Sequence, residues 1–202
     1  MKKYELLKVS GEPDFSFIPV LDIDVPYRDT PSDIGASAQI CYGDDAFYVH
    51  LWTAEKDPLA NEFGPTGMPC RDSCLEFFFS PMEDDERYFN IEFNMNGCVF
   101  WGFGSCVDNV IRLAPEDKTP KDTFDYTINR TETGWEIFYS VPYSRIRQFF
   151  PDFKVYTGKQ MRANCYKCSD MSNPPHYLSW NKIEGERLSF HRPSCFGIME
   201  FM

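Results

Sequence analysis

Apolar and polar residues alternate with a period of two over several short stretches of this chain, each closed by turn residues, and no stretch carries a sustained helical stripe. Alternation of this kind sends successive side chains to opposite faces of an extended strand. The clearest case is Arg87 to Asn94, where Phe89, Ile91 and Phe93 share one face and Tyr88, Asn90, Glu92 and Asn94 share the other. Met95-Asn96-Gly97 then supplies an Asn-Gly turn into a strand over Cys98 to Phe103. Ser37 to Tyr42 and Ala46 to Trp52 flank Gly43-Asp44-Asp45 and predict a hairpin, with Phe47, Val49 and Leu51 facing one way and Tyr48, His50 and Trp52 the other. A strand is expected over Cys74 to Ser80, and a second hairpin pairs Phe124 to Arg130 with Trp135 to Val141, Trp135 falling in the core. Met161 to Cys168 and Cys195 to Phe201 close the pattern. Pro142 to Phe150 is the only segment that reads as a helix, of one or two turns. Asp57 to Pro69 and Ala114 to Thr123, rich in proline, read as loops.

Short strands at regular spacing, apolar inward and polar outward, predict two stacked antiparallel sheets: an all-β, single-domain antiparallel β-sandwich over residues 1–202 with at most one or two short helices. The length of 202 residues suits one sandwich better than two domains. With 19 Phe, 11 Tyr and 4 Trp the core has ample apolar area, since each large aromatic buries about 150–250 Å² when enclosed. Eight cysteines are therefore not needed as staples, and free buried thiols are expected. Cys165-Tyr166-Lys167-Cys168 has the spacing of half a zinc site, but no second pair completes it, and alternation sets its thiols on opposite strand faces. It reads as structural.

The formal charge of −11 opposes nucleic acid and anionic membrane as partners, because affinity for phosphates rests on Lys and Arg. No basic start with an apolar run marks a leader, so the expected location is cytoplasmic, or extracellular if a leader has been removed. The chain has no Gly-x-Ser-x-Gly, no His-Glu-x-x-His and no phosphate loop, and the reading is that it is not an enzyme. Glu76 and Glu92 on neighbouring strands are the one pair of carboxylates that a glycoside hydrolase would use. Met68 and His176 are weak candidates for haem ligands.

A sugar offers a face of C–H bonds and a rim of hydroxyls, and its receptor needs an aromatic plate with carboxylates, amides or Arg around it. Glu76 with the polar face of Tyr88, Asn90, Glu92 and Asn94 supplies the second kind of group, although the same face is equally that of a solvated outer strand.

Asp72-Ser73-Cys74-Leu75-Glu76 followed by Phe77-Phe78-Phe79, the strand Tyr88 to Asn94 turning at Gly97, Asn164-Cys165-Tyr166-Lys167-Cys168, His176-Tyr177-Leu178-Ser179-Trp180 and Phe190-His191-Arg192-Pro193-Ser194-Cys195-Phe196-Gly197 together resemble the family nine carbohydrate-binding modules and the family-nine-like domains of the DOMON sandwich superfamily. The resemblance runs from about Ala46 to the C-terminus. It implies non-catalytic binding of a mono- or oligosaccharide, with Trp180 as one plate of a tryptophan clamp and Glu76 as the gripping carboxylate. The pattern usually has a second Trp where this chain has Cys70, and Trp101 or Phe63 are the stand-ins. Asn94, Asn164 and Arg192 complete the candidate site. No cofactor is expected, although relatives carry structural calcium; no Asp-rich ligand spacing marks such a site here. The other reading is a β-sandwich interaction module that has lost the sugar.

Overall fold

The structure, a computed structural model, describes residues 1–27, 30–31, 33–113, 123–185 and 187–202. Its strands are β1 (Lys3–Lys8), β2 (Leu21–Ile23), β3 (Val25–Pro26), β4 (Gly35–Tyr42), β5 (Ala46–Ala54), β6 (Cys74–Ser80), β7 (Tyr88–Asn94), β8 (Val99–Gly104), β9 (Ile111–Arg112), β10 (Tyr126–Arg130), β11 (Gly134–Pro142), β12 (Gln160–Ser169), β13 (His176–Ser179) and β14 (Gly197–Phe201). One helical turn, α1 (Tyr143–Ile146), follows β11, within the span expected to be helical. Most of the expected loop Ala114 to Thr123 lies outside the described residues.

Hydrogen bonding runs continuously in the order β10-β11-β5-β4-β1-β14-β12-β6-β7-β8-β9, so the two layers of the sandwich are one sheet curled over. The crossover is β1. Its first half pairs with β14, Lys3 opposite Ile198, and its end pairs with β4, Leu7 opposite Cys41. Both pairings are parallel, the exceptions among the described residues to an otherwise antiparallel sandwich.

The inward faces follow the alternation. Phe47, Val49 and Leu51 of β5, Leu75, Phe77 and Phe79 of β6, Phe89, Ile91 and Phe93 of β7 and Trp135 and Ile137 of β11 are at most 1% exposed and form one cluster between the layers. Tyr48, His50 and Trp52 lie on the opposite face of β5 and are half-buried. Five strands lack a clear signal in the sequence: β1, β2, β3, β9 and β13. Four of them have four residues or fewer, too short to show a period.

The outer face of β6, β7 and β12 departs from a solvated surface. Cys74, Phe78, Tyr88, Tyr166 and Cys168 form a second apolar cluster with Ile183, Phe190 and Phe196, which come from the segment between β13 and β14. That segment folds back as a cover. The Phe190 ring stacks on Tyr166 at 4.1 Å and 5°, and His191 lies over Phe78 at 5.2 Å. Every residue of β6 and β7 is consequently buried, polar ones included.

Candidate functional site

The motif Asp72-Ser73-x-x-Glu76 divides its work among three places. Asp72 Oδ2 accepts from the backbone N–H groups of Asn61 and Glu62 at 2.8 and 2.7 Å and from Asn94 Nδ2 at 2.8 Å, which pins the 57–69 loop to the head of β6. Ser73 donates to Glu55 and accepts from Trp135 Nε1 at 2.9 Å, inside the molecule. Glu55 also pairs with the fully buried Lys167, whose Nζ lies 3.0 Å from Glu55 Oε2 and 2.9 Å from His176 Nε2. Glu76 points the other way, because odd and even positions of a strand face opposite sides.

There it reaches a cavity of about 390 Å³, under the edge of the covering segment. Glu76, Glu92 and Cys168 line it from the strands, with Asp170 just beyond β12. Phe100, Tyr177 and Phe190 supply rings, Met68 and Cys70 come from the 57–69 loop and the turn after it, and His191 from the cover. Glu76 and Glu92 are directly opposite one another across β6 and β7. Burial and their mutual repulsion push the Glu76 carboxyl well up, and burial pushes that of Glu92 up as well. Cys168 Sγ donates to Glu76 Oε1 at 3.0 Å and Asn90 Nδ2 to Glu92 Oε1 at 2.7 Å. Arg112 is the cation that acts on Glu92, but its Nη atoms donate to the carbonyls of Pro65, Gly67 and Val99, and its guanidinium lies over Phe100 at 4.3 Å. The cavity is acidic.

Of the six residues expected to bind sugar, Glu76 alone lines this cavity. Trp180 does not: its indole is 4% exposed, in the core between the layers, edge-on to Tyr4 at 6.5 Å. A Cβ on Gly197 would stand 2.5 Å from its ring, so the glycine of the C-terminal motif makes room for the tryptophan. Trp101 is likewise in the core, packed beside Phe89, and Phe63 is exposed on the loop without lining the cavity. Asn94 holds the 57–69 loop through Asp72 and the carbonyl of Glu62. Asn164 bonds both backbone groups of Asn181, at 2.8 and 2.9 Å, and Asn181 in turn reaches the carbonyl of Cys195. Arg192 caps the carbonyls of Glu184 and Arg187 within the cover. The geometry thus gives four of the five others a core or loop-holding place, and Trp101 a core one. Alternation told which face of a strand each residue takes, but not that the outer face would be covered.

The wall residues that sequence reasoning missed are Phe100, Asp170, Tyr177 and Phe190. Tyr177 and Phe190 lie in the motifs that carry the resemblance, three positions before Trp180 and one before His191, which was the available signal. Of the two weak haem-ligand candidates, Met68 Sδ accepts from Arg112 at 3.4 Å and His176 belongs to the Lys167 cluster. Among the described residues the one group of His, Cys, Asp and Glu side chains close enough to share an ion is Cys74, Glu76 and Cys168, and calcium takes oxygen ligands.

All eight cysteines are free thiols, and Cys165 and Cys168 do face opposite sides of β12, the first in the core and the second on the cavity. No helix among the described residues is long and apolar enough to cross a membrane.

Residues 18–201 match carbohydrate-binding family 9. No curated protein matches the chain at a significant level. Among solved structures, a candidate carbohydrate-binding protein from Bacteroides uniformis ATCC 8492 superposes with a TM-score of 0.81 at 27% identity, over 100% of this chain and 99% of that one. A family 9 module from Caldicellulosiruptor kristjanssonii in complex with glucose gives 0.69 at 15% identity, over 100% and 96%, and the cellotriose complex gives 0.67 at 14%, over 99% and 93%. At those identities the last two share the fold. With a match spanning nearly its whole length, the chain belongs to carbohydrate-binding family 9.

Proposed function

We propose that the chain binds the end of a neutral sugar, a monosaccharide or short oligosaccharide of the glucose type, in the cavity beside Glu76, without acting on it. The observation that carries this reading is the convergence of two buried carboxyl groups, Glu76 and Glu92, with the rings of Phe100, Tyr177 and Phe190 on one open cavity of about 390 Å³. Its size lies within the range of about 300–1,000 Å³ usual for small-molecule sites. Carboxyl oxygens accept from sugar hydroxyls, and the rings cover the C–H face. Family membership supports the ligand class, and the glucose and cellotriose bound to the C. kristjanssonii module supply the first ligands to try.

Family membership and the placing of the acids support binding without hydrolysis. A glycosidase needs two carboxyl groups flanking the scissile bond, whereas Glu76 and Glu92 are side by side on one wall, as directly opposed residues of paired strands must be. Convergence of polar groups in a recess also favours a small polar ligand over a protein face, the interaction module being the other reading of the sequence. The cavity offers few hydrogen bonds, so affinity is weak, in the millimolar range of about −4 kcal/mol.

Ligand-detected NMR and calorimetry with glucose, cellobiose and cellotriose test the reading. Tyr177→Ala and Glu76→Gln each weaken binding by about tenfold, the loss of roughly 1.4 kcal/mol. Absence of binding at millimolar sugar, or binding untouched by both substitutions, overturns it.

A further inference from the structure

We propose that Cys74, Glu76 and Cys168 form a binding site for one thiophilic divalent cation of the zinc class. The register puts the ligands together: Cys74 and Cys168 are directly opposite across β6 and β12, and Glu76 is two residues beyond Cys74 on the same face. One atom from each lies within 4.8 Å of the others. Zinc–sulfur bonds of about 2.3 Å and zinc–oxygen bonds of about 2.0–2.2 Å place tetrahedral ligands about 3.5–3.8 Å apart, so the cluster needs small side-chain adjustments, the 3.0 Å contact of Cys168 Sγ with Glu76 Oε1 lengthening. Soft sulfur with one carboxylate suits zinc and does not suit calcium or magnesium.

The second observation is a missing charge. Glu76 is 2% exposed and faces the equally buried Glu92, yet among the described residues neither forms an ion pair with Lys or Arg. The hydrogen bond that reaches Glu76 comes from a thiol. Buried carboxylates elsewhere in proteins are paired, fully hydrogen-bonded or bind metal; of the other buried acids, Glu55 has Lys167 and Asp72 accepts from two backbone amides and Asn94, whereas a single thiol reaches Glu76. A divalent cation supplies what Glu76 lacks. On binding, the two thiols and the Glu76 carboxyl, which burial pushes well up, release their protons to solvent and coordinate as thiolates and carboxylate, an exchange of protons for metal with no change of oxidation state.

Three protein ligands leave one tetrahedral position, and both Glu76 and Cys168 stand on the cavity wall. That position takes water, or a sugar hydroxyl if the cavity is the sugar site; only this last part rests on the function proposed above. Cys70 is on the same wall.

The test uses the full chain, reduced, stripped with a chelator and titrated with cobalt(II). One cobalt per chain is expected, with near-ultraviolet thiolate-to-cobalt charge-transfer absorption and the intense visible bands of a tetrahedral site, all displaced by zinc. Cys168→Ser removes the charge-transfer band in proportion and weakens zinc by more than the 10- to 100-fold typical of losing an outer-shell partner. Glu76→Gln keeps the charge-transfer band with weaker zinc binding, and Cys195→Ser changes neither. No charge-transfer absorption in the folded parent, or a spectrum that survives both Cys74→Ser and Cys168→Ser, overturns the proposal. Sugar titrations of stripped and zinc-loaded protein separate the two readings: sugar binding without a cobalt spectrum removes the metal alone, and a cobalt spectrum without sugar binding removes the sugar alone.

Discussion

At the scale of single residues, a side chain's place in a motif says less about its task than the face it is turned to. Asp72, Ser73 and Glu76 are four positions apart at most, yet one holds a loop, one sits among buried polar groups and one meets the cavity. Trp180 reads in the sequence as a plate for sugar. Its burial is decided by Tyr4, at the far end of the chain, and by the space that Gly197 leaves, neither of which alternation reports. Trp180→Ala is therefore expected to cost about 3–5 kcal/mol of stability, as large aromatic truncations in cores do, and to leave sugar affinity unchanged in whatever fraction stays folded. Urea unfolding and ligand-detected NMR on one sample read both. Lys167 makes the complementary case. Lys167→Met strands the Glu55 carboxylate in the interior and should cost about 3–5 kcal/mol, while adding Glu55→Gln recovers much of the loss, because the penalty comes from the unpaired charge more than from the missing pair. Chemical denaturation of the single and double variants gives the comparison.

At the scale of elements, alternation was a sound guide wherever a strand ran seven residues or more. β4, β5, β6, β7, β11 and β12 stand where the pattern puts them, to within about two residues at each end. It failed for strands too short to repeat and for β1, whose parallel pairing with both β4 and β14 depends on partners remote in the chain. The candidate site was legible to a smaller extent. Glu76 was found by its strand and its motif, but the aromatic wall was not, since Tyr177 reaches the cavity from β13, a strand too short to show a period, and Phe190 through the segment after β13 that folds back over β6 and β7. The 57–69 loop has little regular structure, and the carboxylate of Asp72 is one of the groups that hold it. Asp72→Ala leaves the amides of Asn61 and Glu62 and the side chain of Asn94 without their acceptor. The expected loss is on the order of 1–3 kcal/mol, with faster hydrogen exchange at Asn61 and Glu62 and slow exchange retained at Phe77 and Ile91 in the neighbouring strands.

For the whole molecule, buried ionisable groups set opposing slopes in stability against pH. His176 and His191 are held down to about 4 from 6.5, chiefly by desolvation, so between those values the unfolded chain binds the extra protons. Stability from the two histidines is full above pH 6.5 and is lost as the pH falls towards 4. The carboxyl of Glu92 runs the other way. Burial pushes it up to about 7 from 4.5, so its contribution is full below pH 4.5 and is lost as the pH rises through 7. The two windows overlap between about pH 4.5 and 6.5, so in that range the slopes of the histidines and of the carboxyl oppose one another. Replacing Glu92 by Gln removes its share of the alkaline loss and leaves the acid limb in place. Chelator-treated Glu92→Gln is therefore expected to melt above the parent at pH 8, by about 2–4 °C for each kcal/mol recovered, and the gap should close below pH 4.5, where the parent's carboxyl is protonated in both states. His191→Gln should flatten the acid limb without moving the alkaline one. Thermal melts of the three proteins across pH 4 to 8 check both limbs, and a Glu92→Gln difference that is the same at every pH would assign the effect to packing instead of charge.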